Sequence, residues 1–185
     1  MMIYHLGCGP HVWPTWLPKK GMDRDHVRLT GLPNPPDRTV GHEDIVNVDL
    51  VPWRDDVVMA DIRCLDAVAT RFGRPDIISA EDVLEHVPIA DGRRALGHWT
   101  SLIRPSGYVE IQVPDLKALA TALYTDTLMA SEYVRRLYGA QDYPENTHWA
   151  GFTEGLLVQY IQDAGLRVVE TNHWNMNLII LARKC

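Results

Sequence analysis

The sequence predicts an α/β protein built on a doubly wound, mostly parallel sheet. Three observations carry that expectation. A short apolar run at the start, Met2-Ile3-Tyr4-His5-Leu6, ends in Gly7-Cys8-Gly9-Pro10. Further short apolar runs follow, several of which close on an acid or a Pro/Gly stop: Asn47-Val48-Asp49, Val57-Val58-Met59-Ala60 before Asp61, and Asp76-Ile77-Ile78-Ser79 before Glu81. Between and after them lie segments of helical apolar spacing. The chain has 185 residues, which one such domain fills.

The glycine turn is where a ligand can come close to the main chain. Glycine reaches backbone conformations other residues avoid, and it brings no Cβ. A turn after a buried strand opens at the carboxyl edge of the sheet, where open α/β sheets bind ligands. Pro10 suits the first position of a helical turn. The stretch 11–44 is irregular, with five prolines and Gly21, Gly31 and Gly41. It offers only short helical candidates near 15–20 and 24–29. Trp13 and Trp16 give it apolar area to bury, so it is expected to be an ordered loop over the ligand edge. A surface insertion is the alternative.

The second strand, 45–50, ends at Asp49, whose carboxylate can accept from a ribose diol or serve as a turn aspartate. Residues 57–60 form the third strand. Asp61 follows it and can cap a helix over 62–72. Residues 75–79 are the fourth strand, and Glu81-Asp82 are expected to open a helix at its positive end. The run 102–107 is a helix end with a Pro/Gly stop, and 108–113 is the fifth strand. Residues 116–137 read as one long helix. Thr153 caps a helix over 154–164 with Gly165 as its stop. Strands at 166–172 and 177–182, joined by a tight turn near Asn175, finish the chain.

Composition sets limits on function. Apolar residues make up 46% and charged residues 23%, ordinary for a globular protein. A net charge of −6 argues against a general nucleic-acid grip. Cys8, Cys64 and Cys185 are few and scattered, which suits a reducing compartment. No signal peptide is visible, and no apolar run approaches the roughly 18 residues of a membrane span. A cytoplasmic location and a single domain over 1–185 are expected.

The LGCGP start, the NVDL second strand and the VLEH segment together make the chain resemble the class I S-adenosylmethionine-dependent methyltransferases, nearly end to end. The closest likeness is to small bacterial methyltransferase-domain proteins. The resemblance implies a Rossmann-like, seven-stranded sheet with an antiparallel last strand, and S-adenosylmethionine as cofactor. It implies cofactor contacts from Gly7, Cys8, Gly9, Asp49, Leu50, Asp61, Ile62, Ser79, Ala80 and Glu81. No helices precede the first strand, so a lid would come from later in the chain or from a second subunit; a homodimer is possible.

Methyl transfer to a hydroxyl needs a base, and histidine is the usual choice near neutral pH. His148 lies in an aromatic loop expected to cross the carboxyl edge and is the first candidate. His86 is the second, although a position within a helix could turn it away. The spacing His5-x-x-Cys8-x-x-His11 has metal-ligand residue types, but zinc sites usually use four, and no second pair matches. No metal is expected. Gly-x-Ser-x-Gly is missing, which argues against a hydrolase. The expected function is methyl transfer to a small-molecule or glycan-type acceptor, at oxygen because no Asn-Pro-Pro-Tyr is found. A non-catalytic binding or assembly module is one alternative. A nicotinamide-dependent oxidoreductase is another, although Val12 stands where its third glycine belongs.

Overall fold

The computed structural model describes residues 1–11, 14 and 42–185. Its seven strands are β1 (Ile3–Leu6), β2 (Ile45–Asp49), β3 (Val58–Met59), β4 (Ile77–Glu81), β5 (Tyr108–Pro114), β6 (Leu166–Trp174) and β7 (Asn177–Lys184). They form one sheet in the order β3-β2-β1-β4-β5-β7-β6. Pairing is parallel from β3 to β5, and β7 runs antiparallel to both β5 and β6. The expected doubly wound, seven-stranded sheet is therefore found, with its antiparallel strand last in the chain. From β1 the chain builds outward to β3, then returns to place β4 on the other side of β1. That reversal opens a crevice at the carboxyl ends of β1 and β4. The final hairpin turns through Asn175 and Met176, both at positive φ (48° and 63°). Such a two-residue turn matches the twist of paired strands.

Strand alternation sorts the side chains into two faces. On one face, Tyr4, Leu6, Val46, Val48, Ile78, Ala80, Val109 and Ile111 belong to the main core. It is covered by helices α1 (Asp66–Phe72), α2 (Ile89–Leu102) and α5 (Glu154–Asp163) through Val68, Leu96, Trp99, Leu157 and Ile161. Trp99 is fully buried, and its indole N–H donates to the Ile62 carbonyl at 2.7 Å. That bond satisfies the one polar group of the largest core side chain and pins the turn after β3.

The other face carries Ile3, Ile45 and Ile77 in a small cluster, with a buried polar row beside it. The row runs in register: His5 opposite Asn47 and Ser79, and Ser79 opposite Glu110. His5 Nδ1 lies 3.0 Å from Asn47 Oδ1, and the Ser79 hydroxyl donates to Glu110 at 2.7 Å. Paired in this way, the groups avoid most of the cost of burial.

The structure corrects four boundaries. The third strand is only Val58–Met59. The helix expected over 62–72 starts at Asp66, and Asp61 does not cap it. Glu81-Asp82 do not open a helix: β4 runs through Glu81, Asp82 takes positive φ (49°), and a single 3₁₀ turn covers Leu84–His86. Pro88 explains the delay. The residue before a proline is pushed out of the helical region, and Val87 is extended (φ −118°, ψ 151°). The long helix of 116–137 is two helices, α3 (Leu116–Tyr124) and α4 (Ala130–Tyr138). Between them the Thr125 hydroxyl donates to the Thr121 carbonyl at 2.8 Å, and Thr127 N–H and hydroxyl both turn back to Ala122. Hydroxyls that compete for helical carbonyls end the helix there. The Thr153 cap and the Gly165 stop are found as read. The short helical candidates near 15–20 and 24–29, and the packing of Trp13 and Trp16, lie outside the described residues. Among the described residues no helix is long and apolar enough to cross a membrane.

The polar row gives a pH dependence. Burial pulls the His5 imidazole down from 6.5 to about 4, against the Asn47 hydrogen bond, which acts the other way. Between those values the unfolded chain binds a proton that the folded chain excludes, so stability falls as pH drops from 6.5 towards 4. At 1.36 kcal/mol per unit the loss from this group is roughly 3 kcal/mol. Thermal unfolding across pH 4–7 should show a flatter slope for His5→Gln than for the wild type. Parallel slopes would mean that His5 titrates normally in the folded protein.

Candidate functional site

Gly7 leaves β1 at φ +64° and donates its N–H to the Val48 carbonyl at 2.9 Å. A Cβ on Gly7 would stand 2.5 Å from Val83 Cβ. Glycine is therefore what lets the β1 exit close against the segment after β4. Gly9 also has positive φ (52°), but a Cβ there would meet nothing within 4 Å among the described residues. Among those residues, space is open beside the Gly9 main chain.

Asp49, at the end of β2, bridges two loops. One oxygen accepts from Gly9 N–H and the other from Val51 N–H, each at 2.9 Å. Arg54 adds a second tie, donating to the carbonyls of Gly9 (3.1 Å) and His11 (2.8 Å). Cys8 is buried, and burial, with the Asp49 charge adding to it, pushes its thiol up to about 11. It is a packing thiol and not a nucleophile at neutral pH. Leu50 is half exposed beside Asp49.

Asp61 follows β3, and its carboxylate is held by Arg63, through both the Arg63 backbone N–H at 2.8 Å and the guanidinium. These bonds hold the carboxyl below its usual range. Arg63 also reaches Asp91 on α2 at 3.0 Å. Ile62 is buried with its carbonyl on Trp99. On β4, Ser79 is bonded to Glu110 in mid-strand, Ala80 lies in the main core, and Glu81 ends the strand at the carboxyl edge. Of these three positions only Glu81 reaches the edge where the glycine turn lies.

The two candidate histidines are neighbours. Their ring centroids stand 4.6 Å apart, edge to face at 87°. His86 sits in the 3₁₀ turn and not in a helix, so the concern that a helix turns it away does not arise. The loop 139–149 comes back over this turn. Trp149 and Ala150 N–H both donate to the Glu85 carbonyl at 2.8 and 3.1 Å, and His148 N–H donates to Tyr138 at 3.0 Å. Tyr143 in the same loop packs edge-on against Trp53 at 5.5 Å, and the Asp49 charge acts on both Tyr143 and His86. The loop therefore closes over the edge that holds Asp49 and the glycine turn.

The electrostatics of this corner are unusual. Burial, and then the neighbouring His86, pull His148 down to about 4. Burial also lowers His86, although backbone groups of Glu145 and Thr147 act against it. Burial thus favours the neutral form of both imidazoles. Behind them the Glu85 side chain is buried, and burial, with Asp82 adding repulsion, raises it well above the usual carboxylate range. Its own backbone N–H favours the charged form, yet neither carboxylate oxygen has a hydrogen-bond partner among the described residues, and neither has His86 Nδ1. Sequence reading missed Glu85. The Glu85-His86 pair was visible, but burial depends on a loop from much later in the chain. Farther along the edge a shallow groove of about 450 Å³ is lined by Asp115, Lys117, Thr121, Thr127 and His173. There His173 bridges Asp115 (3.0 Å) and Glu154 (3.2 Å). This groove includes neither glycine nor the histidine pair.

The two glycines should differ on substitution. Gly7→Ala combines positive φ with a clash against Val83, and each effect costs about 1–3 kcal/mol. Gly9→Ala carries only the first. Urea unfolding should show Gly7→Ala less stable than Gly9→Ala by at least about 1 kcal/mol. Equal midpoints would mean that the contact between the β1 exit and Val83 is not tight.

A methyltransferase-domain family profile matches residues 5–171. No curated protein sequence matches. Magnesium protoporphyrin IX methyltransferase from Synechocystis PCC 6803, solved with S-adenosylhomocysteine, superposes with a TM-score of 0.59 at 14% identity, covering 100% of this chain and 74% of that one. An O-methyltransferase family protein from Burkholderia thailandensis gives 0.52 at 17%, covering 77% and 45%. The 1,6-didemethyltoxoflavin-N1-methyltransferase of the same organism gives 0.51 at 20%, covering 76% and 60%. The chain thus spans less than two thirds of the length of both Burkholderia proteins, and at these identities the likeness is one of fold. The profile match over most of the chain, on a seven-stranded sheet with a glycine turn after β1, makes this protein a member of the methyltransferase-domain family, within the class I S-adenosylmethionine-dependent methyltransferases.

Proposed function

We propose that the chain is a single-domain cytoplasmic enzyme that transfers a methyl group from S-adenosylmethionine to a hydroxyl of a small-molecule or glycan-type acceptor. The observation that carries this reading is the pair of imidazoles, His86 and His148, under a loop that closes over Asp49 and the glycine turn. The residues present fit the cofactor. The space beside Gly9, open among the described residues, would admit a ligand to the main chain. Asp49 uses two of its roughly four acceptor positions on Gly9 and Val51, and the others can take a ribose diol. In this reading Gly7, Cys8, Gly9, Asp49, Leu50, Asp61, Ile62 and Glu81 would hold the cofactor, with Ser79 and Ala80 supporting the site from β4. When bound, S-adenosylmethionine supplies an activated methyl group for in-line displacement. The chain holds the acceptor in line, excludes water with loop 139–149, and handles the hydroxyl proton at the histidine pair. Positioning contributes up to about 7–11 kcal/mol in favourable cases.

S-adenosylhomocysteine should raise the melting temperature, because it binds only the folded chain. Asp49→Ala should reduce that binding by about 1–3 kcal/mol. No shift at millimolar ligand would remove the cofactor assignment. His148→Ala should keep S-adenosylhomocysteine binding and lower turnover on a hydroxyl acceptor by about 10²–10⁴-fold. Unchanged turnover in that variant and in His86→Ala would leave proximity as the whole account. Cofactor binding without turnover on any hydroxyl acceptor would favour a binding module.

A further inference from the structure

The Glu85 carboxyl has no role in the reading above, and its setting is costly. A buried carboxyl with both oxygens unpaired forfeits the hydrogen bonds it makes in water. Buried unpaired groups in a native fold call for an explanation, and an unplaced ion is one of the ordinary ones. One ligand atom each from Glu85, His86 and His148 lies within 4.8 Å of the others. Ligands at about 2.1 Å from a common ion stand at most about 4.2 Å apart. A small side-chain adjustment therefore brings all three onto one centre.

The imidazoles are prepared for that role. His148 Nδ1 lies 3.1 Å from the Arg136 carbonyl, so it carries the proton and leaves Nε2 with a free lone pair. A backbone carbonyl on the far nitrogen is the usual way to orient a metal-ligating histidine. His86 Nδ1 is buried and unpartnered among the described residues. A cation would give the Glu85 carboxylate the partner it lacks among the described residues.

We infer that Glu85, His86 and His148 form a binding site for one divalent transition-metal cation, of the Zn²⁺ or Co²⁺ kind. Two imidazoles and one carboxylate make a borderline donor set that suits such ions better than Mg²⁺ or Ca²⁺. Three protein ligands leave coordination positions open, as in catalytic sites. The inference rests on the reading of this corner as the place where the acceptor hydroxyl is activated, and it says how. A cation held there would lower the pKa of the acceptor hydroxyl, whose proton would then be lost to solvent from the histidine-pair corner. The oxygen then forms the bond to the methyl carbon as the carbon–sulfur bond breaks, and the electron pair of that bond stays on sulfur. The site is also separate from the His5-x-x-Cys8-x-x-His11 spacing, because His5 is committed to Asn47.

The test is titration of the chelator-stripped full chain with Co²⁺, read by visible absorption. One ion per chain is expected, displaced by Zn²⁺, with affinity at least tenfold weaker in Glu85→Gln and in His148→Ala. The His148 variant keeps the test open if removing the buried carboxyl prevents folding. No absorption at millimolar Co²⁺, or binding that neither substitution weakens, would overturn the site. Full turnover in excess chelator would overturn it too, while leaving hydroxyl methylation in place. Failure to bind S-adenosylhomocysteine would instead remove the proposed function and leave the metal titration to stand on its own result.

Discussion

Asp49 holds together the corner on which the rest of the molecule is arranged. Its two oxygens take N–H groups from Gly9 and Val51, so the exits of β1 and β2 are fixed to each other across the sheet edge. Those N–H groups would otherwise be left without a partner at a strand end. Next to this bridge, Gly7 brings the β1 exit against Val83 with no Cβ between them. The segment after β4 is thereby drawn beside the glycine turn, and His86 follows three residues after Val83. Loop 139–149 then docks on that segment through the Glu85 carbonyl.

The sheet supports this arrangement unequally on its two faces. The apolar face under α1, α2 and α5 supplies the burial that drives folding. The opposite face accepts a buried polar row, where His5, Asn47, Ser79 and Glu110 are satisfied by one another. Glu85 differs from these groups. It is as deeply buried, yet no neighbour among the described residues answers it. That contrast within one molecule is why the Glu85 corner reads as a site, whereas the polar row reads as structure.

Much of this was legible in the sequence, for reasons that stay local. Short apolar runs closed by glycine or aspartate marked the strand ends, and the Asn175 turn and the Thr153 cap depend on their immediate neighbours. The readings that failed depend on competition between local rules. Glu81-Asp82 looked like a helix start, but β4 runs on through Glu81, Asp82 takes positive φ, and Val87 before Pro88 is held out of the helical region. The apolar spacing over 116–137 suggested one helix, but Thr125 and Thr127 turn their hydroxyls onto its last carbonyls. The pairing of His86 with His148 and the burial of Glu85 arise from tertiary closure, which spacing along the chain does not encode.

The central claim is that the glycine turn, Asp49 and the histidine pair share one site. Histidine-selective ¹⁵N labelling with NMR detection of the imidazole signals tests it directly. On adding S-adenosylhomocysteine, the signals of His86 and His148 should shift, while those of His98 on α2 and His173 on β6 should stay in place. Binding that leaves His86 and His148 unmoved, or that shifts His173 in the neighbouring groove, would contradict the account.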